Sequence, residues 1–195
     1  PPRLMSMLNW LYTWLETRVS SFPADLPAKP PATVWGFIRH FSRPFYPLLA
    51  AGLVLSMLAS IVEVWVFSYV GTLVDKLSSA DRATFFADNK WELAFFAFMA
   101  VVVQQLINMT ADSIENQGLR GNYAMRIRWL AHRYMLRQSM EFFHNEFAGR
   151  VATKVMQAAL GVRDVIMKLT QVIAWVATFF VSTIAAFIAN DWRLA

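Results

Sequence analysis

The chain has 195 residues, of which 57% are hydrophobic and only 16% charged, and it contains eight tryptophans. Because an ordinary soluble domain of this length is far less apolar, the composition predicts a membrane protein. Its net charge of +5 comes without a nucleic-acid-binding motif, and the lack of cysteine excludes a disulfide framework, a thiolate metal site and a cysteine nucleophile. The three histidines, His40, His132 and His144, are scattered and do not have metal-ligand spacing.

The first predicted element is an amphipathic helix within residues 1–21. Its apolar face consists of Leu4, Met7, Leu8, Trp10, Leu11, Trp14 and Leu15. Such a helix suits the membrane interface, and packing against the rest of the protein explains the pattern equally well. Residues 22–31 form a Pro-rich, semi-rigid linker, and residues 32–43 are expected to form a short elbow helix that leads into the first membrane span.

Three apolar runs predict membrane-spanning helices at about 45–74, 91–111 and 169–190, each long enough to cross a hydrocarbon core of roughly 30 Å. Glu63 is the one charged residue inside the first run. The connection at 112–168 carries nine Lys or Arg against five acids, so it is expected in the cytoplasm together with the basic N-terminal region.

All eight prolines lie at or before Pro47, so the remaining 148 residues can form long, unbroken helices. A helix from about Trp91 to Met140 would rise about 75 Å, more than twice the hydrocarbon thickness. The part outside the membrane carries an apolar stripe that needs a partner helix, formed by Leu119, Tyr123, Ile127, Leu130 and Tyr134. Gly118 and Gly121 are expected to bend this helix or to let a neighbour approach closely.

The predicted cytoplasmic hairpin, residues 112–168, reverses within the segment EFFHNEFAGRVATKV at 141–155. This segment combines charged residues with Phe142, Phe143 and Phe147; Gly149 is expected to mark a break, with the next helix starting near Val151. A reversal roughly 40 Å from the membrane is unusual for a simple bundle, because bundle connections are usually short. It predicts contact with a soluble partner.

At this point the chain resembles the transmembrane domain of ATP-binding cassette (ABC) exporters, the type I group that includes multidrug and lipid flippases. The likeness rests on GTLVD at 71–75, on the 141–155 segment, and on NDWRLA at 190–195, in the family's order and spacing. It implies an all-α membrane fold with three of six spans present. It also implies a short coupling helix seated on a nucleotide-binding domain, formed by His144, Asn145, Glu146, Phe147, Ala148, Gly149 and Arg150.

The resemblance further implies that ATP and Mg bind a nucleotide-binding domain outside these residues, and that two transporter halves pair as a homodimer in a bacterial inner membrane. Family members often carry an acid directly after the loop glycine, where this chain has Arg150, so polar contacts at the turn are expected to differ. The chain itself has neither a GxxxxGK[ST] loop nor a glycine-rich signature, and hence no ATPase motif. The full-length protein is expected to be an ATP-hydrolysing translocase.

An ionised carboxylate inside a membrane costs roughly 2.5 kcal/mol or more, so Glu63 is expected to face a cavity or a polar partner. A possible substrate cavity consists of Glu63, Gln104, Gln105 and Asn108. The same residues are equally suited to an interhelical hydrogen bond with a purely structural role.

The favoured function is the membrane-spanning part of an ATP-driven exporter that moves a hydrophobic or amphipathic substrate, such as a drug, lipid or peptide, out of the cytoplasm. The alternative is a non-transporting helical membrane scaffold that docks a soluble partner through its cytoplasmic hairpin. A membrane enzyme is disfavoured because the sequence offers no catalytic constellation and no metal cluster.

Overall fold

The computed structural model describes residues 2–24, 29, 31, 33–79, 85–141 and 148–190. These residues form helices and connecting segments, with no strand among them, which confirms the predicted all-α class. The first part of the chain contains α1 (Pro2–Thr17), α2 (Val34–Ser42), a 3-10 turn (Arg43–Phe45), α3 (Tyr46–Ser79) and α4 (Phe85–Asp88).

Two longer helical stretches follow. The second long helix, Lys90–Met135, is continuous and consists of α5 (Lys90–Ala97), a π-helical turn (Phe98–Val103), α6 (Gln104–Ser113), a π-helical turn (Ile114–Arg120) and α7 (Gly121–Met135). The third long helix consists of α8 (Ala148–Met167), a π-helical turn (Lys168–Ile173) and α9 (Ala174–Asn190), and its candidate membrane-spanning stretch is Gly149–Ala189. Together with Val34–Ser78, they are the three stretches of the described chain long and apolar enough to cross a membrane.

The helix ends differ from the sequence-based bounds near the hairpin turn. The second long helix ends at Met135 rather than near Met140, and α8 begins at Ala148 and includes Gly149, where the sequence predicted a break. A single glycine costs a helix only about 1 kcal/mol, and the residues that follow Gly149 are mostly good helix formers. The described glycines all avoid positive φ, so Gly149 does not end a helix in the left-handed conformation.

The chain divides into two compact units. The first comprises Pro1–Ala51 and Ser113–Thr170, and the second comprises Gly52–Asp112 and Gln171–Ala195.

The first unit has a buried apolar core to which α1, α2, the start of α3, α7 and α8 all contribute. Its members are Leu15, Val19, Ile38, Phe41, Phe45, Leu48, Leu49, Leu119, Tyr123, Ile127, Ala159, Ile166 and Met167. The predicted stripe is therefore confirmed for Leu119, Tyr123 and Ile127, and Leu130 packs partly buried against the same core. The stripe packs against α2 and the 3-10 turn after it, which form the predicted elbow, and against α8.

Tyr123 lies in the middle of this core and makes a buried polar contact there. Its hydroxyl is 2.7 Å from Ser42 Oγ, and Ser42 Oγ donates to the Ile38 carbonyl at 2.7 Å. Because the serine has a single proton, Tyr123 must be the donor to Ser42. The Tyr123 ring also packs on Phe45, with the ring centroids 4.9 Å apart.

Gly118 permits a close helix contact in the same unit. A Cβ atom at this position would lie 3.2 Å from Leu48 Cδ1, which is tighter than ordinary van der Waals contact. Gly118 is also buried within the π-helical turn Ile114–Arg120. The expected close approach is thus observed at Gly118, whereas at Gly121 a Cβ would meet nothing within 4 Å.

The second unit contains most of α3, α4, the first part of the second long helix and α9. Its described contacts include stacking of Tyr69 on Phe96 at 4.5 Å and an ion pair between Lys76 Nζ and Glu92 Oε1 at 2.7 Å. In the most apolar 18-residue stretches of the second and third long helices, no residue is buried. The apolar side chains of these stretches are exposed or half-buried, as expected for a surface that meets lipid or further protein.

Candidate functional site

The four residues predicted for a substrate cavity all lie in the second unit. Glu63 is half-buried, Gln105 and Asn108 are exposed, and Gln104 Nε2 donates weakly to the Ala59 carbonyl at 3.5 Å. Among the described residues, no hydrogen bond joins Glu63 to the other three. Their role in a substrate route therefore stays a prediction.

Two polar atoms without a hydrogen-bond partner lie on α3 and on the second long helix. Ser60 Oγ and Gln104 Oε1 are both buried and have no hydrogen-bond partner in the described part of the chain. Buried polar groups normally have partners, so such atoms call for a bound water, a ligand or a change of conformation. Among the four predicted cavity residues, Gln104 has a buried carbonyl oxygen that can still accept a hydrogen bond.

A cavity of about 610 Å³ lies between α3 and α9 in the second unit. It is lined by Val64, Phe67, Ser68, Gly71, Thr72, Asp75, Phe179, Thr183, Ala186 and Phe187. The volume falls within the range of about 300–1,000 Å³ that is typical of small-molecule sites. None of the four predicted cavity residues lines it, but Gly71 and Asp75 come from the GTLVD segment.

The lining of this cavity has an amphipathic character. Three phenylalanine rings supply apolar walls, three hydroxyls supply hydrogen-bonding capacity, and the Asp75 carboxylate lies at the C-terminal end of the α3 wall. Thr72 Oγ1 donates to the Ser68 carbonyl within α3 at 3.3 Å, so its oxygen can still accept a hydrogen bond. Such a lining fits a molecule with an apolar body and a polar or cationic end.

The sequence contained a signal for this cavity that sequence reasoning missed. On α3 the lining residues recur every three or four positions from Val64 to Asp75, and on α9 they do so from Phe179 to Phe187. Residues at this spacing share one helix face. Phenylalanines on a membrane helix are common on lipid-facing surfaces, so the pattern alone did not distinguish a cavity wall from lipid contact.

A second arrangement fixes the segment after α1 along α7 in the first unit. Asn122 Nδ2 donates to the Glu16 carbonyl at 2.9 Å, and Ser21 Oγ donates to Asn122 Oδ1 at 2.7 Å. One helical turn further along α7, the Arg126 guanidinium donates to the Ser20 carbonyl.

The arrangement continues towards the end of α7. Trp129 Nε1 donates to the Pro23 carbonyl at 3.1 Å, and Arg133 Nη1 donates to the Pro23 and Ala24 carbonyls at 3.1 and 2.9 Å. The Phe22 ring also meets the Trp129 ring edge-on, with centroids 5.4 Å apart. The four donors of this hydrogen-bond ladder, Asn122, Arg126, Trp129 and Arg133, are spaced by four, three and four residues and share one face of α7.

Comparison with known proteins gives an informative match. Over 193 residues the chain is 32% identical to an uncharacterized ABC transporter ATP-binding protein of Haemophilus influenzae. This similarity supports assignment to the ABC transporter family. The matched part covers 96% of this chain but only 31% of the relative, so the chain spans about a third of the length of that ABC protein. No protein-family model matches the chain, and no solved structure matches it.

The predicted coupling helix falls mostly outside the described residues. This applies to His144, Asn145, Glu146 and Phe147, and also to Phe142 and Phe143. Ala148, Gly149 and Arg150 form the first turn of α8, with Gly149 and Arg150 exposed. The assignment of 144–150 as a coupling helix therefore stays a prediction.

Proposed function

We propose that this chain is the membrane-spanning part of an ATP-driven ABC exporter that moves a hydrophobic or amphipathic substrate out of the cytoplasm. The observation that carries the proposal is helix length. The second and third long helices contain 46 and 41 residues. At 1.5 Å per residue these lengths correspond to about 69 Å and 62 Å, roughly twice the hydrocarbon thickness. A simple membrane anchor does not need helices of this length.

The projecting parts of these helices suit mechanical coupling to an ATPase. Around Tyr123, α7 and α8 share a buried core with the elbow region, so displacement at the hairpin turn can be transmitted as movement of packed helices. In this proposal the turn at 144–150 docks on a nucleotide-binding domain that holds ATP and Mg. The similarity to an ABC transporter ATP-binding protein supports such a partner.

The cavity between α3 and α9 is proposed as a substrate-binding site. Its aromatic walls, hydroxyls and single carboxylate favour an amphipathic substrate with a cationic end. Glu63 and Gln104 are proposed to lie along the same transport route, because a carboxylate and an unsatisfied amide are costly inside a membrane unless they face a polar path.

Orientation and assembly complete the proposal. The positive charge of residues 112–168 favours a cytoplasmic hairpin and a cytoplasmic N-terminus, in a bacterial inner membrane. The outward-facing apolar surfaces of the long helices leave room for further spans and for a second transporter half, so the assembled transporter is proposed to be a homodimer.

Phe147→Ala in the full-length protein tests the proposal. Removing an aromatic anchor from a docked interface typically costs about 2 kcal/mol or more. ATP binding should therefore persist while hydrolysis no longer drives transport in reconstituted vesicles. Leu136→Ala is the matched control, because Leu136 is an exposed apolar residue that precedes this segment in the sequence. Unchanged transport and ATPase activity in the Phe147 variant would contradict coupling through this segment.

A further inference from the structure

Helix α1 has two different apolar faces. Leu15 and, just beyond the helix, Val19 are buried in the core of the first unit. Trp10 and Trp14 are 68% and 44% exposed, and they lie on one side of the helix, separated by about 40° around its axis. Leu15 lies about 100° or more from both tryptophans by the same geometry. Packing on the protein thus explains why Leu15 is apolar. It does not explain the exposed side that carries Trp10 and Trp14, here called the tryptophan face.

The tryptophan face is held in a fixed place on the protein. Asn122 of α7 donates to the Glu16 carbonyl at the end of α1, and the rest of the hydrogen-bond ladder fixes residues 20–24 along α7. Helix α1 also contacts the π-helical turn Ile114–Arg120. Helix α1, which carries Trp10 and Trp14, is therefore held beside this turn.

The turn Ile114–Arg120 begins three residues after Ala111, where the uncharged run ends. From Ala111 to Ile114 the helical rise is about 4.5 Å, so the turn that α1 contacts begins within a headgroup layer roughly 5–8 Å thick when the uncharged run spans the hydrocarbon core, as in the proposed function. Tryptophan is enriched at this depth because its ring is apolar and its N–H is polar.

The surrounding charge favours an anionic surface. Before Glu63 the sequence contains five basic residues, Arg3, Arg18, Lys29, Arg39 and Arg43, and only two acids, Glu16 and Asp25. The Arg18 guanidinium lies 5.4 Å from the centre of the Trp14 ring, so a positive charge accompanies the exposed aromatic face. Positive charge next to exposed tryptophans favours binding to anionic lipid.

We propose that α1 binds the surface of a bilayer that contains anionic lipid, through Trp10, Trp14 and Arg18. The inference rests on the membrane-spanning part of the proposed function, since the spans hold α1 beside the bilayer at high effective concentration. Binding fixes one end of the ladder at the membrane, and the ladder in turn fixes α7. Helix α1 thereby restricts movement of the projecting part of the second long helix relative to the membrane.

Site-specific quenching in the full-length protein tests this inference. Single cysteines are introduced at Trp10, Trp14 and Glu16 in a background with any other cysteines replaced, labelled with a small fluorophore, and reconstituted into vesicles. Glu16 is the matched control, because it is exposed on the same helix but lies at least about 120° from both tryptophans. Quenching by nitroxide-labelled lipids is compared with quenching by aqueous iodide.

The expected result is lipid quenching at positions 10 and 14 at least about twice that at position 16, in vesicles with about one-third phosphatidylglycerol. Arg18→Gln should reduce quenching at position 10, whereas Lys154→Gln on α8 should leave it unchanged. Equal lipid quenching at all three positions overturns the inference. Shielding of positions 10 and 14 from iodide without lipid quenching also overturns it, because protein then covers the face.

A label at Val101 separates this inference from the proposed function. Val101 is 70% exposed within the uncharged run of the second long helix. Lipid quenching at position 101 but not at position 10 defeats only the proposal for α1. Absence of lipid quenching at both positions defeats the membrane-spanning assignment itself.

Discussion

The two units of the chain place large apolar side chains in opposite environments. In the first unit Phe45 is 1% exposed and packs on Tyr123, whereas in the second unit Phe180 is 63% exposed. The first unit surrounds a core of buried residues, whereas in the second unit the most apolar stretches of the second and third long helices contain no buried residue. Both units consist of long helices of similar apolar residues, so the surroundings and not the helices themselves account for the difference.

The difference follows from the solvent that each unit is expected to meet. In water, apolar surface is stabilised by burial at roughly 25 cal/mol per Å², which favours the core around Tyr123. In a bilayer the lipid tails are as apolar as leucine, so helix contacts depend on close packing and polar pairs. The described contacts of the second unit are of that kind, including the stacked Tyr69 and Phe96 and the Lys76–Glu92 pair.

The largest expected effect comes from Phe45→Ala. Truncating a buried phenylalanine typically costs about 3–5 kcal/mol, and the loss should increase hydrogen exchange throughout α7 in the detergent-solubilised full-length protein. Phe180→Ala is the control and should leave exchange of α7 unchanged. If Phe180→Ala destabilises the protein as much as Phe45→Ala, the exposed face of α9 is a packed interface and the contrast between the units fails.

Gly118→Leu should have the next largest effect. A side chain at this position meets Leu48, and overpacking of this kind typically costs about 1–3 kcal/mol. At Gly121 a Cβ meets no neighbour, so Gly121→Leu should be neutral or slightly stabilising through helix propensity. Thermal unfolding of the two variants side by side measures the difference; equal midpoints would show that the π-helical turn adjusts freely.

Tyr123→Phe should have a smaller effect. It removes the hydroxyl that donates to Ser42 but keeps the ring in the core, and the Ser42 donation to the Ile38 carbonyl remains. A loss of about 1 kcal/mol is expected for one hydrogen bond. A double-mutant cycle with Ser42→Ala measures the coupling between the two side chains, and a coupling near zero would show that the contact adds no stability.

The smallest effect on stability is expected for Asp75→Asn, which should instead alter function. Loss of the carboxylate from the cavity should raise the KM for cationic amphiphiles by about tenfold, equivalent to about 1.4 kcal/mol, with little change for neutral ones. The measurement is substrate-stimulated ATPase activity of the full-length protein, with Asp88→Asn on α4 as an exposed control. An equal change for charged and neutral compounds would speak against a charge-selecting role.

The sequence predicted the three long helices and the stripe at Leu119, Tyr123 and Ile127 because apolar runs, helical spacing and the position of prolines are local properties of the chain. The ladder was not predictable in the same way, since its donors bind backbone carbonyls 106 to 110 residues away in sequence. Every residue has a carbonyl, so nothing in residues 16–24 identifies them as the acceptors. The cavity depends on the pairing of α3 with α9, which the phenylalanine spacing on either helix does not specify.

The π-helical turns have a consequence for comparing this chain with its relatives. In a π-helical turn each hydrogen bond encloses one more residue than in an α-helix. Residues after the turn are therefore rotated about the helix axis, relative to residues before it, compared with an uninterrupted α-helix. The turn Ile114–Arg120 separates Gln104 and Asn108 from the stripe that begins at Leu119. A relative that lacks one residue there would present its polar positions on a different side of the helix. Sequence alignments across this turn should therefore allow a one-residue gap before polar positions are equated.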